Sequence, residues 1–184
     1  MKKRIGIFLL FLGAHYGFSQ HQDQNPEAYT LKSTYEQLSQ KPESLLLEQD
    51  FYNHFPKDYH SFRRIFHNPD FNGLYLNSQA YLYTLINLQS IEKESIGTIL
   101  LTLCKGFDIS NEKSAQAVQF STHQFAFSHP QIMIQLLQGM TGQDQKKIAT
   151  LLTNKSFDTD FTYYEKFLGV LEQEDGVLYE QFKL

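Results

Sequence analysis

The chain has 184 residues, of which 15% are aromatic and 20% charged, and twenty acidic against sixteen basic residues give a net charge of −4. Such a length is enough to bury a real core without covalent staples, and with Cys104 as the only cysteine no intrachain disulfide can form. The acidic balance lacks the basic footprint expected of a nucleic-acid binder and equally argues against adhesion to anionic lipid.

The first residues have the order that a signal peptidase reads. Lys2, Lys3 and Arg4 are followed by the apolar run from Ile5 to Ala14, and then by Gly17 and Ser19, small residues at the positions that direct a cut after Ser19. The apolar run is about half of the roughly 20 residues that a spanning helix needs, so cleavage is expected to leave no stable membrane insertion. Loss of the three leader cations takes the net charge from −4 to −7. The expected organisation is a cleavable signal peptide over 1–19, a flexible polar start over 20–25 and a single helical domain over 26–184. A short, positively charged leader of this kind suits bacterial export to the periplasm or the extracellular space.

Helical spacing of apolar residues dominates the chain from residue 26 onward. Asn25-Pro26 reads as an N-cap with proline at the first helical position, and Ala28, Leu31, Tyr35 and Leu38 predict a helix over 26–40. Pro42 opens a second helix with Leu46, Leu47, Phe51 and Phe55 as its stripe, ending before Pro56. Tyr59, Phe62, Ile65 and Phe66 mark a short third. The turn formers of 68–73 (NPDFNG) form a loop, after which Asn77 or Ser78 caps a fourth helix bearing Tyr81, Leu82, Leu85 and Leu88. The clearest pattern, Ile96, Ile99, Leu100, Leu103, Cys104 and Phe107, ends at Gly106, a C-terminal stop. It also places Cys104 on an apolar face, as a buried thiol.

Ser110 or Asn111 opens a sixth helix carrying Ala115, Val118, Thr122 and Phe125. Pro130 starts a seventh with Ile132, Met133, Leu136, Leu137 and Met140. Thr141 to Asp144 resembles a capping box before Ile148, Leu151 and Leu152. The final pattern starts near Asp158 and runs through Phe161, Tyr164, Phe167, Leu168 and Leu171, to be broken or kinked at Asp175-Gly176 before Leu178 and Phe182. No segment sustains strand alternation. The expected fold is all-α, an irregular bundle of about eight to nine short helices, with aromatic rings filling the gaps between them.

Few constellations point to chemistry. The segment 50–73 gathers Asp50, His54, Asp58, His60, Arg63, Arg64, His67 and Asp70, but its histidines lack the tight local pairing of zinc motifs. Asn68, Asp70, Asn72 and Gly73 mimic the opening of a calcium loop, which fails at Leu76 and Gln79, where further ligands belong. Ser121, His123, Ser128, His129 and Asp108 offer triad components without a nucleophile elbow. Asp158 and Asp160 read as a helix cap, and Asn154-Lys155-Ser156 matches the glycosylation triplet. No catalytic, cofactor-binding or metal-ligating set is assigned, and no cofactor is expected.

The reading these residues support is an exported, helical protein-interaction protein, non-enzymatic, of the immunity, inhibitor or accessory type. Its expected partner is another protein. The candidate surface is the interleaved stretch of His54, His60, Arg63, Arg64, His67, Asp70, Phe71 and Tyr75, because arginine and tyrosine dominate interface energetics and loops on rigid helices carry binding residues. Two alternatives stand beside it: a hydrolase or metal-dependent enzyme built on 50–70, and a carrier of a small apolar ligand. Histidines converging in a deep pocket would favour the enzyme, and a closed apolar cavity the carrier.

Overall fold

The computed structural model describes residues 25–66, 74–107, 113–157 and 160–183. Among these stand ten α-helices and no strand: α1 (Pro26–Gln40), α2 (Leu45–His54), α3 (Tyr59–Phe66), α4 (Leu74–Asn87), α5 (Lys93–Gly106), α6 (Lys113–Ser128), α7 (Pro130–Gln138), α8 (Gly142–Leu152), α9 (Thr162–Glu174) and α10 (Gly176–Phe182). The fold is an all-α multi-helix bundle. The proposed leader, the calcium-like loop and the openings expected at Ser110 or Asn111 and at Asp158 lie outside the described residues.

Capping side chains fix several starts. Asn25 Oδ1 accepts from the Glu27 N–H at 3.1 Å, with Pro26 behind it, so one donor of the first turn is satisfied and proline sits where no N–H is needed. Thr141 Oγ1 accepts from the Asp144 N–H at 3.2 Å. The reciprocal half of the capping box is missing, because the Asp144 carboxylate instead meets Lys105 Nζ at 3.3 Å and ties α8 to α5. Asp175 serves two helices. Its N–H donates to the Leu171 carbonyl, closing α9, while its carboxylate accepts from Val177 and Leu178, opening α10. That shared cap is why the count exceeds nine.

Two expected boundaries move, and a third holds for a different reason. Ser44, whose hydroxyl accepts from the Leu47 N–H at 3.4 Å, starts α2 after Pro42 and turns its first residues outward, so Leu46 is 79% exposed and does not belong to the buried stripe. Helix α4 begins at Leu74, ahead of Asn77, and Ser78 is buried inside it. Gly106 is the last residue of α5, yet its backbone is not left-handed. A Cβ there would fall 2.2 Å from Cβ and Cγ of Tyr59, so the glycine admits the α3 ring rather than reversing the chain.

Buried apolar residues form one cluster from Ala28 to Phe182. At one end it is aromatic: Tyr35 stacks on Tyr81 at 4.2 Å, and Phe51, Phe55, Phe62, Phe66 and Phe107 continue the ring contacts between helices. Each such pair contributes about 0.5–1.5 kcal/mol beyond its buried area. Of the apolar residues expected inside, Leu85, Ile99, Leu103, Leu137 and Leu168 are buried, whereas Leu136 is only partly so. Helix α6 occupies the middle and packs against α4, α5, α7, α8 and α9. No described helix is long and apolar enough to cross a membrane.

Candidate functional site

The stretch singled out by sequence folds as the end of α2, a buried Pro56 and the short α3. Asp58 starts α3: its carboxylate accepts from the Ser61 N–H at 3.0 Å and the Ser61 hydroxyl at 2.9 Å. The Ser61 N–H, followed by the other groups at this turn, holds the Asp58 carboxyl below its ordinary range. The helix is sharply two-faced. Phe62, Ile65 and Phe66 enter the core, while His60, Arg63 and Arg64 are exposed, the arrangement that i, i+3, i+4 spacing dictates.

Alongside α3 runs an open cavity of about 390 Å³ lined by Pro26, Glu27 and Thr30 of α1, Asn53 and His54 of α2, Pro56, and Ser61 and Ile65 of α3. Arg64 Nη2 and Glu27 Oε2 meet at 2.6 Å and join α1 to α3. Both side chains are 54% exposed, so this pair contributes about 0–1 kcal/mol and is easily exchanged for another partner. Asp50 and His54, four apart on α2, are in contact. Nδ1 of His54 donates to the Asp50 carbonyl at 2.9 Å and lies 3.4 Å from its carboxylate. Lys57 Nζ donates to the Tyr52 carbonyl and sits 3.2 Å from the centre of the Tyr52 ring. Partial loss of water around that ammonium lowers its pKa to about 8.

Of the residues named from sequence, His54 lies on the wall of the cavity, and His60, Arg63 and Arg64 form the exposed face of α3. Tyr75 stands in the first turn of α4, and His67, Asp70 and Phe71 lie outside the described residues. Among the described residues no group of three or more His, Cys, Asp or Glu is placed to hold a metal.

Of the triad components, Ser121 and His123 are core residues of α6, Ser128 and His129 line a cavity at its end, and Asp108 lies outside the described residues. His123 is fully buried, donates from Nε2 to the Leu152 carbonyl at 3.0 Å and stacks on Tyr164 at 4.5 Å. Burial lowers its pKa to about 4. Its N–H is tied to a carbonyl and its ring is covered, so it is not open to a substrate. The glycosylation triplet is occupied as well. Asn154 Oδ1 accepts from the Ser156 N–H and hydroxyl at 3.0 and 2.7 Å, and the amide nitrogen that a glycan would join is buried.

Two features had little sequence signal. Phe120 and Phe127, seven apart on α6, flank Tyr163 of α9 at 6.2 and 5.5 Å, and Lys166 Nζ lies 5.1 Å from the Phe127 ring. Only the spacing of the two phenylalanines hinted at this aromatic ridge. The second is a small polar cavity around His129, which no local motif announces. Comparison with protein-family models, with curated proteins and with solved structures gives no match.

Proposed function

We propose that this chain is an exported helical interaction protein that receives an acidic segment of a protein partner on the face made by α1 and α3. The observation that carries the reading is the row His60, Arg63 and Arg64, exposed along one side of α3 beside an open cavity, on a chain whose net charge is −4. Arginine presents planar, permanently charged donors that match a carboxylate in two-point geometry. The Arg64–Glu27 pair already makes one such hydrogen bond, from Nη2 to Oε2, and a partner carboxylate can displace Glu27 at little net expense. Pro26, Pro56 and Ile65 give the cavity an apolar floor on which a partner side chain can anchor. The action would be by binding, as in an immunity protein, an inhibitor or an assembly accessory, in the periplasm or outside the cell.

An enzyme built on 50–70 has less support, because Asp58 is engaged as a helix cap and His54 is turned toward Asp50. The test is capture from envelope extract with the wild-type chain and with Arg63→Glu, Arg64→Glu. Both should melt within a few degrees of each other, and partners retained by the wild type should be lost by the variant. Undiminished capture by a folded variant would remove this face from the function. N-terminal sequencing of the exported protein should begin near Gln20; an intact leader would end the export reading.

A further inference from the structure

A second cavity, of about 200 Å³, shares no lining residue with the first. It lies where the end of α4, the start of α5 and the end of α6 meet. Asn87, Gln89, Lys93, Gln124, Ser128 and His129 supply its polar wall, and Ile86 and Phe125 its apolar part. The geometry points to a binding site for a small 2-hydroxycarboxylate, whose carboxylate is held by Lys93 and His129 and whose hydroxyl donates to Gln124. This inference is independent of the α1–α3 reading.

Lys93 and His129 face the same cavity, and the Lys93 charge reaches the His129 imidazole. Lys93 Nζ donates to the Leu88 carbonyl at 2.5 Å, which leaves two of its three N–H donors for a ligand. The carboxylate whose charge reaches it, Glu48, also accepts from the N–H groups of Gln89 and Ser90 at 2.9 and 2.6 Å. His129 is held below its ordinary pKa first by burial and then by the Lys93 charge. A carboxylate between them removes that conflict, and it favours the protonated imidazole with its second N–H donor.

Gln124 supplies the complementary demand. Its Oε1 is buried and accepts from no donor, a condition that carries an energetic penalty wherever it persists. The terminal torsion of a glutamine is broad, so the amide can turn that oxygen toward the cavity. A ligand hydroxyl next to the carboxylate meets it there. An ammonium at the same position would add a third cation beside Lys93 and His129, which selects a hydroxy acid over an amino acid. The volume is below the roughly 300 Å³ at which pockets for larger organic ligands begin, which restricts the ligand to a few carbon atoms.

The experiment titrates the full chain with glycolate, acetate, glycine and inorganic phosphate, following the His129 imidazole by NMR and the heat of binding. Glycolate should bind saturably, raise the His129 pKa and exceed acetate, glycine and phosphate by about tenfold or more in affinity. Lys93→Gln, which keeps a donor for the Leu88 carbonyl, should weaken glycolate by about tenfold. Gln124→Leu should abolish the advantage of glycolate over acetate, with both variants checked for an unchanged melt. No saturable response at His129 up to tens of millimolar glycolate would overturn the site. Equal binding of phosphate or acetate would also overturn it, by reducing it to an unselective anion contact. If Lys93→Gln fails to fold, the comparison of ligands in the wild type and in Gln124→Leu decides alone.

Discussion

Nε2 of His123 donates to the carbonyl oxygen of Leu152 across 3.0 Å, joining the middle of α6 to the end of α8. One turn earlier Gln119 does the same work, its Nε2 donating to Leu151 and Asn154 at 2.8 and 2.9 Å. The last carbonyls of a helix have no partner inside it, and here side chains from another helix supply one. Because a carbonyl only accepts, the imidazole proton is on Nε2, and Nδ1 is left bare and buried without a donor.

Acid should therefore loosen the fold through His123. Its folded pKa, about 4, lies below the ordinary 6.5, so between those values the unfolded chain takes up a proton that the folded chain refuses. Stability from this group is fully present above about pH 6.5 and is lost as pH falls toward 4, by about 3 kcal/mol at the lower end. Asp58 and Glu48, whose pKa values are lowered, lose their contributions at lower pH. Urea melts from pH 7 to 4 should show a steep fall for the wild type and a shallower one for His123→Gln, which titrates nowhere in that range. Parallel curves would refute the assignment.

Two glycines should respond in opposite directions to alanine. At Gly106 the new methyl would meet Tyr59 at 2.2 Å, and overpacking of this kind destabilises by about 1–3 kcal/mol. At Gly169, on the exposed side of α9, a Cβ meets nothing within 4 Å, so Gly169→Ala should stabilise by about 1 kcal/mol through helix propensity. Thermal melts of both variants decide the matter, and a stabilised Gly106→Ala would contradict the packing described.

Glu48 holds the turn between α4 and α5. Burial alone would raise its pKa, but the N–H groups of Ser90 and Gln89, with Lys93 behind them, outweigh burial and lower it. Glu48→Ala strands both donors and should cost about 2 kcal/mol, in the range for hydrogen bonds to a charged group. Denaturant midpoints for Glu48→Ala and Glu48→Gln should rank the alanine variant lower; equal midpoints would mean that water replaces the carboxylate.

Cys104 should be inert in the native protein. It is fully buried, 3.5 Å from the Thr122 hydroxyl, and burial pushes its pKa up to about 12. Reactivity requires the thiolate and access to it. A thiol reagent at pH 8 should label the chain only after denaturant is added, and rapid native labelling would show that α5 opens.

Much of the fold was legible where one face alone is buried. The stripes of α1 and α5 and the caps at Asn25 and Thr141 followed from local spacing and local hydrogen bonds. Legibility failed where the partner is distant in sequence. Gln119, Ser121 and His123 are buried in α6, against the polar-outward pattern, because the acceptors for Gln119 and His123 lie about thirty residues away on α8 and just beyond it. Leu46 misled because apolarity says nothing about which way the first turn after a cap points. At the site, the exposed face of α3 was readable from the spacing of His60, Arg63 and Arg64. The cavity beside it was not, since Pro26, Glu27 and Thr30 come from a helix whose link to α3, the Arg64–Glu27 pair, spans 37 positions.

The central placement of α6 also constrains how the chain can come apart. Five helices from both sides of it in sequence rest on its surface, so removing it would leave the earlier and later helices with apolar faces turned to water. Partial unfolding that spares the rest is confined to the periphery, to α10 or the first turns of α2, where few neighbours must be given up. Amide hydrogens of α6 should then be the last to exchange with solvent and report the global opening of the protein. A protease acting on the native protein should begin at its edges and reach α6 only after the whole domain has opened.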